Sequence, residues 1–166
     1  MKKRIKPEPV KAGEESVWDY PRPPALVSDS RHVRVIINGK VVADSNKSYR
    51  VLETSHPPVF YIPASDVRTE WIKPSEQTSY CEFKGRASYA EFDDGAEQRK
   101  AVAWYYTEPT ETFSAIKGYY AFYPSKADRC YVGEEEVEAQ EGDFYGGWIT
   151  GEIKGPFKGA ADTWGW

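Results

Sequence analysis

The sequence predicts a compact, mainly β domain built from antiparallel strands, with one or two short helices. Asn38 and Gly39 stand between two β-branched runs, and Asn-Gly in that setting is the strongest short signal for a hairpin. Other short runs rich in Val and Tyr are each bounded by Pro, Gly or Asp, as strands are. Strand and helix signals do not alternate, so a parallel sheet with crossover helices is not expected.

The length of 166 residues favours a single β domain with an extension at each end. Residues 1–30 are rich in proline and predict an extended arm. Residues 31–139 hold the predicted regular structure, and residues 140–166 form a tail rich in glycine and aromatic residues that we expect to pack on the domain. Aromatic residues make up 15% of the chain while the mean hydropathy is −0.69, so rings must supply much of the core.

The predicted elements follow one another at short intervals. After the hairpin over 34–43, the strand-like segments are 49–53, 59–62, 86–92, 102–106 and 119–123. The best helix candidate is 111–117, with Thr110 as a possible cap and Gly118 at its end. A short helical turn is also expected over 65–71, where Ser65 could act as the cap.

Charge and composition exclude several classes of function. The net charge is −4 and no basic stripe is present, so nucleic acid is not expected as a partner. No run approaches the ~20 apolar residues of a membrane span, and no secretory signal is seen, which favours a cytoplasmic protein. Its two cysteines are then expected to be reduced, although a bridge between Cys81 and Cys130 stays open.

No metal or cofactor is predicted. The cysteines and histidines lie at least 24 residues apart, whereas structural zinc sites use paired ligands two to four residues apart. The glycines of the tail match neither nucleotide-binding pattern.

Four segments combine polar side chains with aromatic rings: 53–63, 81–89, 103–109 and 118–124. This composition suits a pocket with ring-lined walls and a few polar anchors. The predicted ligand-binding residues are the walls Tyr61, Tyr89, Trp104 and Tyr106, the anchors Glu53, Asp66 and Lys84, and the thiol of Cys81.

Other roles remain open for these residues. Lys84 could activate Cys81 as a nucleophile with His56 as the base, but a free cysteine is often simply a small buried side chain. Strand alternation places Glu53 on the face of Val51, so its carboxylate needs a partner, for which Lys84 is predicted. That pair could be structural, a ligand anchor or an acid–base group, and the aromatic residues could be core rather than pocket.

Several segments together resemble the bacterial family of unknown function DUF427. The resemblance runs from about residue 33 to 131, through 38–45, 51–54, 58–63, 81–89, 103–106 and 116–124. Where the family usually has proline after the cysteine, this chain has Glu82. Both ends of the chain resemble longer members from cyanobacteria and other bacteria.

The resemblance implies a small β-rich fold, comparable to β-tent domains that hold ligands between two sheets. Zinc-bearing β-tent relatives use Cys-x-x-Cys pairs, which are absent here. A nucleotidyltransferase label is sometimes attached to the family, yet no Gly-Ser followed by Asp-x-Asp is present. The resemblance therefore implies a fold and no activity.

Three functions remain open on the sequence alone. The first is a binding module for a small polar or aromatic metabolite. The second is an enzyme that uses Cys81 or Glu53. The third is a structural or interaction module, in which the aromatic tails could form a homo-oligomer.

Overall fold

The structure is a computed structural model that describes residues 4–142 and 144–166. It is mainly β, as predicted. The strands are β1 (Glu15–Ser16), β2 (Ala25–Asp29), β3 (Val33–Ile37), β4 (Lys40–Ser45), β5 (Ser48–Leu52), β6 (Val59–Ile62), β7 (Ile72–Cys81), β8 (Gly85–Asp93), β9 (Gln98–Tyr105), β10 (Tyr120–Phe122), β11 (Arg129–Val132), β12 (Glu135–Glu136), β13 (Glu138–Ala139), β14 (Trp148–Ile149) and β15 (Ile153–Lys154).

A seven-stranded antiparallel sheet dominates the molecule, in the order β2-β5-β6-β10-β9-β8-β7. A four-stranded antiparallel sheet has the order β12-β11-β3-β4. The terminal segments add two small pairs, parallel β1-β15 and antiparallel β13-β14.

The Asn38-Gly39 hairpin is confirmed. These two residues connect β3 to β4, with Ile37 paired to Lys40. Their φ angles are +50° and +71°, as a two-residue turn matched to the twist of the strands requires.

The main core lies between the two larger sheets. Val33, Val35 and Ile37 from β3 pack in one cluster with Phe60 and Ile62 from β6. Because side chains alternate along a strand, the residue between the last two, Tyr61, lies on the opposite face of the large sheet. That face carries a second cluster, which consists mostly of aromatic residues.

The helical segments are short 3-10 turns: Val17–Asp19, Ala64–Asp66, Glu111–Ile116 and Ala161–Thr163. The predicted helix over 111–117 is the third of these. Thr110 precedes it without a side-chain cap, because its hydroxyl donates instead to the carbonyl of Phe83 at 2.6 Å. The turn expected over 65–71 covers Ala64–Asp66, and Pro63 rather than Ser65 occupies the cap position.

Eight of the fifteen strands were not predicted, and the three longest of these are β2, β7 and β11. β2 lies within the segment expected to be an extended arm, yet it pairs with β5 at one edge of the large sheet. β7 forms the other edge, and its register shifts between Pro74 and Thr78. β11 is a four-residue strand beside β3.

Both terminal segments contact the domain. Trp18 packs edge-on against Trp166, with 5.5 Å between the ring centroids. Trp148 is 0% exposed, donates its indole N–H to the carbonyl of Phe122 at 3.0 Å and belongs to the main core. Residues 1–3 of the predicted arm and Asp143 of the predicted tail lie outside the described residues.

None of the described helices could cross a membrane, since the longest has six residues.

Candidate functional site

A cavity of about 230 Å³ opens on the face of the large sheet that points away from the four-stranded sheet. We call it the inner cavity. Seven of the eight predicted ligand-binding residues line it: Glu53, Tyr61, Cys81, Lys84, Tyr89, Trp104 and Tyr106. The structure thus brings together predicted side chains from three separate segments of the sequence, 53–63, 81–89 and 103–109.

Strand register places the rings of the inner wall side by side. Tyr89 pairs with Trp104, Trp104 with Ala121, and Ala121 with Tyr61, in one row across four strands. The small Ala121 separates the two large rings on either side. Trp104 can therefore reach over it and donate its indole N–H to the hydroxyl of Tyr61 at 3.1 Å.

The hydroxyls of Tyr61 and Tyr106 are neutral hydrogen-bonding groups at physiological pH. Burial raises the pKa of Tyr61. Burial, together with neighbouring Tyr61 and Cys81, also raises the pKa of Tyr106. The hydroxyl of Tyr89 lies 3.0 Å from that of Ser79, so it already has a partner. Tyr61 and Tyr106 accordingly offer ring surface and neutral hydroxyl groups rather than phenolate charge.

A chain of contacts orients the acidic side of the inner cavity. The amide of Gln140 accepts from the backbone N–H of Gly147 at 3.0 Å, which directs its NH₂ group to the carbonyl of Lys158 at 2.6 Å and to Nδ1 of His56 at 3.3 Å. Nδ1 of His56 is then the acceptor, so Nε2 carries the proton and faces Oε2 of Glu53 at 3.4 Å. Glu53 and His56 therefore form an oriented pair.

Glu53 remains a carboxylate in this setting. Burial would raise its pKa, but the His56 contact and the charges of Lys84 and Arg22 outweigh burial and lower it. Arg22 lies 3.3 Å from Oε2. Both contacts fall on Oε2, which leaves Oε1 for another partner.

The predicted direct pairing of Glu53 with Lys84 is wrong. Among the described residues, no carboxylate lies within 4.0 Å of the Lys84 ammonium, which stands 5.8 Å from the ring centroid of Phe113. Lys84 lies on the turn between β7 and β8, whereas Glu53 follows β5 across the sheet. The two opposite charges therefore line one cavity without neutralising each other directly.

The cysteines are both free, and no disulfide joins them. Cys81 lines the inner cavity, while Cys130 lies in the main core, where burial raises its pKa. Cys81 and His56 share the cavity, but no hydrogen bond between them is present. In the described part of the chain, no group of three potential ligands could hold a metal ion.

Asp66 is the predicted anchor that the structure does not place at the inner cavity. Its Oδ2 accepts a hydrogen bond of 2.6 Å from the hydroxyl of Ser45. It sits in the turn after β6, where its carboxylate holds β4 to that turn.

Sequence reasoning missed five lining aromatic residues: Tyr80, Phe83, Tyr123, Phe144 and Tyr145. Tyr123 packs on Trp104 with 4.6 Å between ring centroids. Phe144 and Tyr145 come from the tail and directly precede Gly146 and Gly147. Two rings followed by two glycines could have indicated a close approach to the domain, since glycine permits such contacts.

Comparison with known families gives a match that covers residues 25–133. The matching family is described as a domain of unknown function (DUF427). The chain belongs to the DUF427 family. A search of the curated proteins found no significant match. The DUF427 segment supplies most of the inner cavity, and the remainder comes from Phe144 and Tyr145, beyond its end.

Proposed function

We propose that this DUF427 protein is a binding module for a small polar or aromatic metabolite, which it holds in the inner cavity. The supporting observation is that rings from separate strands line a space with two opposite charges, Glu53 and Lys84, that do not pair with each other. Apolar walls with a few placed polar groups are the usual composition of small-molecule sites. Location in the cytoplasm and a small molecule rather than nucleic acid as partner remain part of this proposal.

The size of the space limits the ligand. A volume of about 230 Å³ is below the roughly 300–1,000 Å³ of sites for drug-sized molecules. A molecule with a single ring and short polar substituents matches that volume.

The charges suggest how such a ligand is oriented. Oε1 of Glu53 would accept from an N–H or ammonium group, while the Lys84 ammonium would face a carboxylate or carbonyl oxygen. Hydrogen bonds to charged groups contribute roughly 1.5–3 kcal/mol each, so these two anchors would determine orientation. The rings would contribute contact area.

Binding can be tested without knowing the natural ligand. Native mass spectrometry of gently purified protein should show a bound small molecule, and a thermal-shift screen of metabolites should raise the melting temperature. Three defined probes share a phenol ring and differ in charge: tyramine, 4-hydroxyphenylacetate and L-tyrosine. We expect calorimetry to detect binding of at least one.

Charge variants then test the site. Lys84→Gln should weaken the binding of a carboxylate-bearing probe about tenfold. Trp104→Ala should weaken the binding of all probes. Lys117→Gln is the matched control, because Lys117 is exposed and does not line the inner cavity. No bound species, no stabilising metabolite and no probe binding would overturn the proposal, as would equal effects of Lys84→Gln and Lys117→Gln.

A further inference from the structure

One wall of the inner cavity lies outside the family domain. The DUF427 match ends at residue 133, but Phe144 and Tyr145 line the cavity, and both belong to the loop between β13 and β14. We call Phe144–Gly147 the strap. Without it, the residues that the family match covers would leave this side of the cavity open.

Hydrogen bonds hold the strap at both ends. The hydroxyl of Tyr123 donates to the carbonyl of Phe144 at 2.9 Å. Gly147 donates to Gln140, the residue that also orients His56. Directly after the strap, Trp148 is anchored in the main core.

Aromatic contacts seat the middle of the strap. The ring centroid of Tyr145 lies 4.5 Å from that of His56, and the Lys158 ammonium stands 5.3 Å from the Tyr145 centroid. The strap therefore contacts the same histidine that faces Glu53.

Gly146 is the point of closest approach. Its φ is +67°, and a Cβ at this position would lie 2.7 Å from Cη2 of Trp104 and 2.9 Å from Cδ1 of Tyr123. Contacts that short are not tolerated, so only glycine lets the strap lie against the ring that forms the cavity wall. Any side chain here must displace the strap or the indole.

Phe144 and Tyr145 also separate two spaces. An adjacent groove of about 470 Å³, which we call the outer groove, is lined by Gly142, Phe144, Tyr145, Gly159, Ala160, Ala161 and Trp164. Phe144 and Tyr145 are the residues common to both linings. Truncating one of their rings would remove a side chain that lines both spaces.

We propose that the strap is the specificity-determining wall of the site, and that it sets the largest ligand the inner cavity admits. The inference rests on the proposed function, since a size limit matters only if a ligand enters. Phe144 is 58% exposed and therefore stands at the mouth, where truncating its ring enlarges the opening without removing core packing.

Cys81 allows a test that needs no ligand, because its thiol lines the inner cavity. The rate of Cys81 alkylation is measured with iodoacetamide and with the bulky fluorescein-5-maleimide, and each rate is divided by that of free cysteine. The ratio of the two normalised rates reports how strongly the cavity discriminates by size. Cys130 serves as the internal control, because a buried thiol becomes modified only if the protein unfolds.

In the wild-type protein, the normalised rate of Cys81 alkylation should be much lower with fluorescein-5-maleimide than with iodoacetamide. Phe144→Ala should relax this size discrimination about tenfold, which corresponds to about 1.4 kcal/mol. Gly146→Ala, which forces the strap away from Trp104, should act in the same direction. Trp164→Ala is the matched control, since Trp164 is an exposed tail aromatic that lines the outer groove and not the inner cavity.

Unchanged discrimination in both strap variants would overturn the inference, and so would an equal change in Trp164→Ala. The proposed function has its own test, which is probe binding to the wild-type protein. If the Cys81 alkylation rates change in the strap variants while no probe binds to the wild-type protein, the strap is a wall of the cavity but the binding-module proposal is rejected.

Discussion

Individual residues determine whether the aromatic face is filled or hollow. In the row Tyr89, Trp104, Ala121 and Tyr61, a single small side chain lies among three large rings. A larger residue at Ala121 would occupy the space over which Trp104 reaches to Tyr61. The hollow thus depends on the order of large and small side chains across neighbouring strands.

Glu53 provides a prediction about pH. Its pKa is lowered from an ordinary value of 4.5 in the folded protein, and a lowered folded pKa stabilises the fold above the unfolded pKa. Glu53→Gln should therefore reduce the free energy of unfolding by about 1 kcal/mol at neutral pH. As the pH falls below 4.5 and through the folded pKa, the difference should disappear.

Urea denaturation at a series of pH values measures this effect. Glu108→Gln is the control, because Glu108 is exposed and no ion pair of it is seen in the described chain. A difference between wild type and Glu53→Gln that persists well below the folded pKa would show that the loss comes from packing rather than charge.

At the scale of elements, local signals were sufficient where a strand carries its own pattern. Asn38-Gly39 predicted its hairpin, and β6 was predicted at its observed bounds. β7 was missed because it is a mostly exposed edge strand containing Pro74 and a register shift, so no apolar alternation marks it. Its pairing with β8 rather than its own sequence makes it a strand.

The hairpin turn should be sensitive to backbone conformation alone. Gly39 has φ of +71°, and a Cβ there would meet nothing within 4 Å. Gly39→Ala should therefore reduce the free energy of unfolding by about 1 kcal/mol, because alanine is strained at this φ angle. Gly165 is the matched control, with equally open surroundings and no positive φ. In thermal unfolding, Gly165→Ala should be neutral or slightly stabilising. Equal losses of stability at both sites would contradict this explanation.

At the scale of the whole molecule, the large sheet uses its two faces differently. One face packs on the four-stranded sheet to form the main core, and the other carries the inner cavity. The C-terminal tail contributes to both faces, because Trp148 enters the core while the strap lines the cavity. The tail is therefore part of the folded unit.

Substitution of two tail tryptophans should affect the free energy of unfolding to very different extents. Trp148→Ala should cost about 4 kcal/mol, since it empties a buried site and removes the hydrogen bond to Phe122. Trp164→Ala should change the free energy of unfolding by less than about 0.5 kcal/mol, because the side chain is 72% exposed. Chemical denaturation compares them, and similar costs would contradict the assignment of Trp148 to the core.

This difference changes how the interaction hypothesis can be tested. A chain truncated at residue 139 would lose Trp148 and unfold, so loss of self-association in it would not be informative. Sedimentation of the full chain with Trp164→Ala tests association through exposed aromatic residues instead.

The sequence by itself determined the fold class, most of the longer strands and seven of the residues that meet at the cavity. Alternation, turn residues and composition are local properties, and they act within a few residues of the chain. Only the tertiary structure decided that Arg22 and His56 rather than Lys84 contact Glu53, that Asp66 lies elsewhere, and that the strap supplies a wall. Those outcomes depend on sheet order and on where a distant tail docks, which no local pattern encodes.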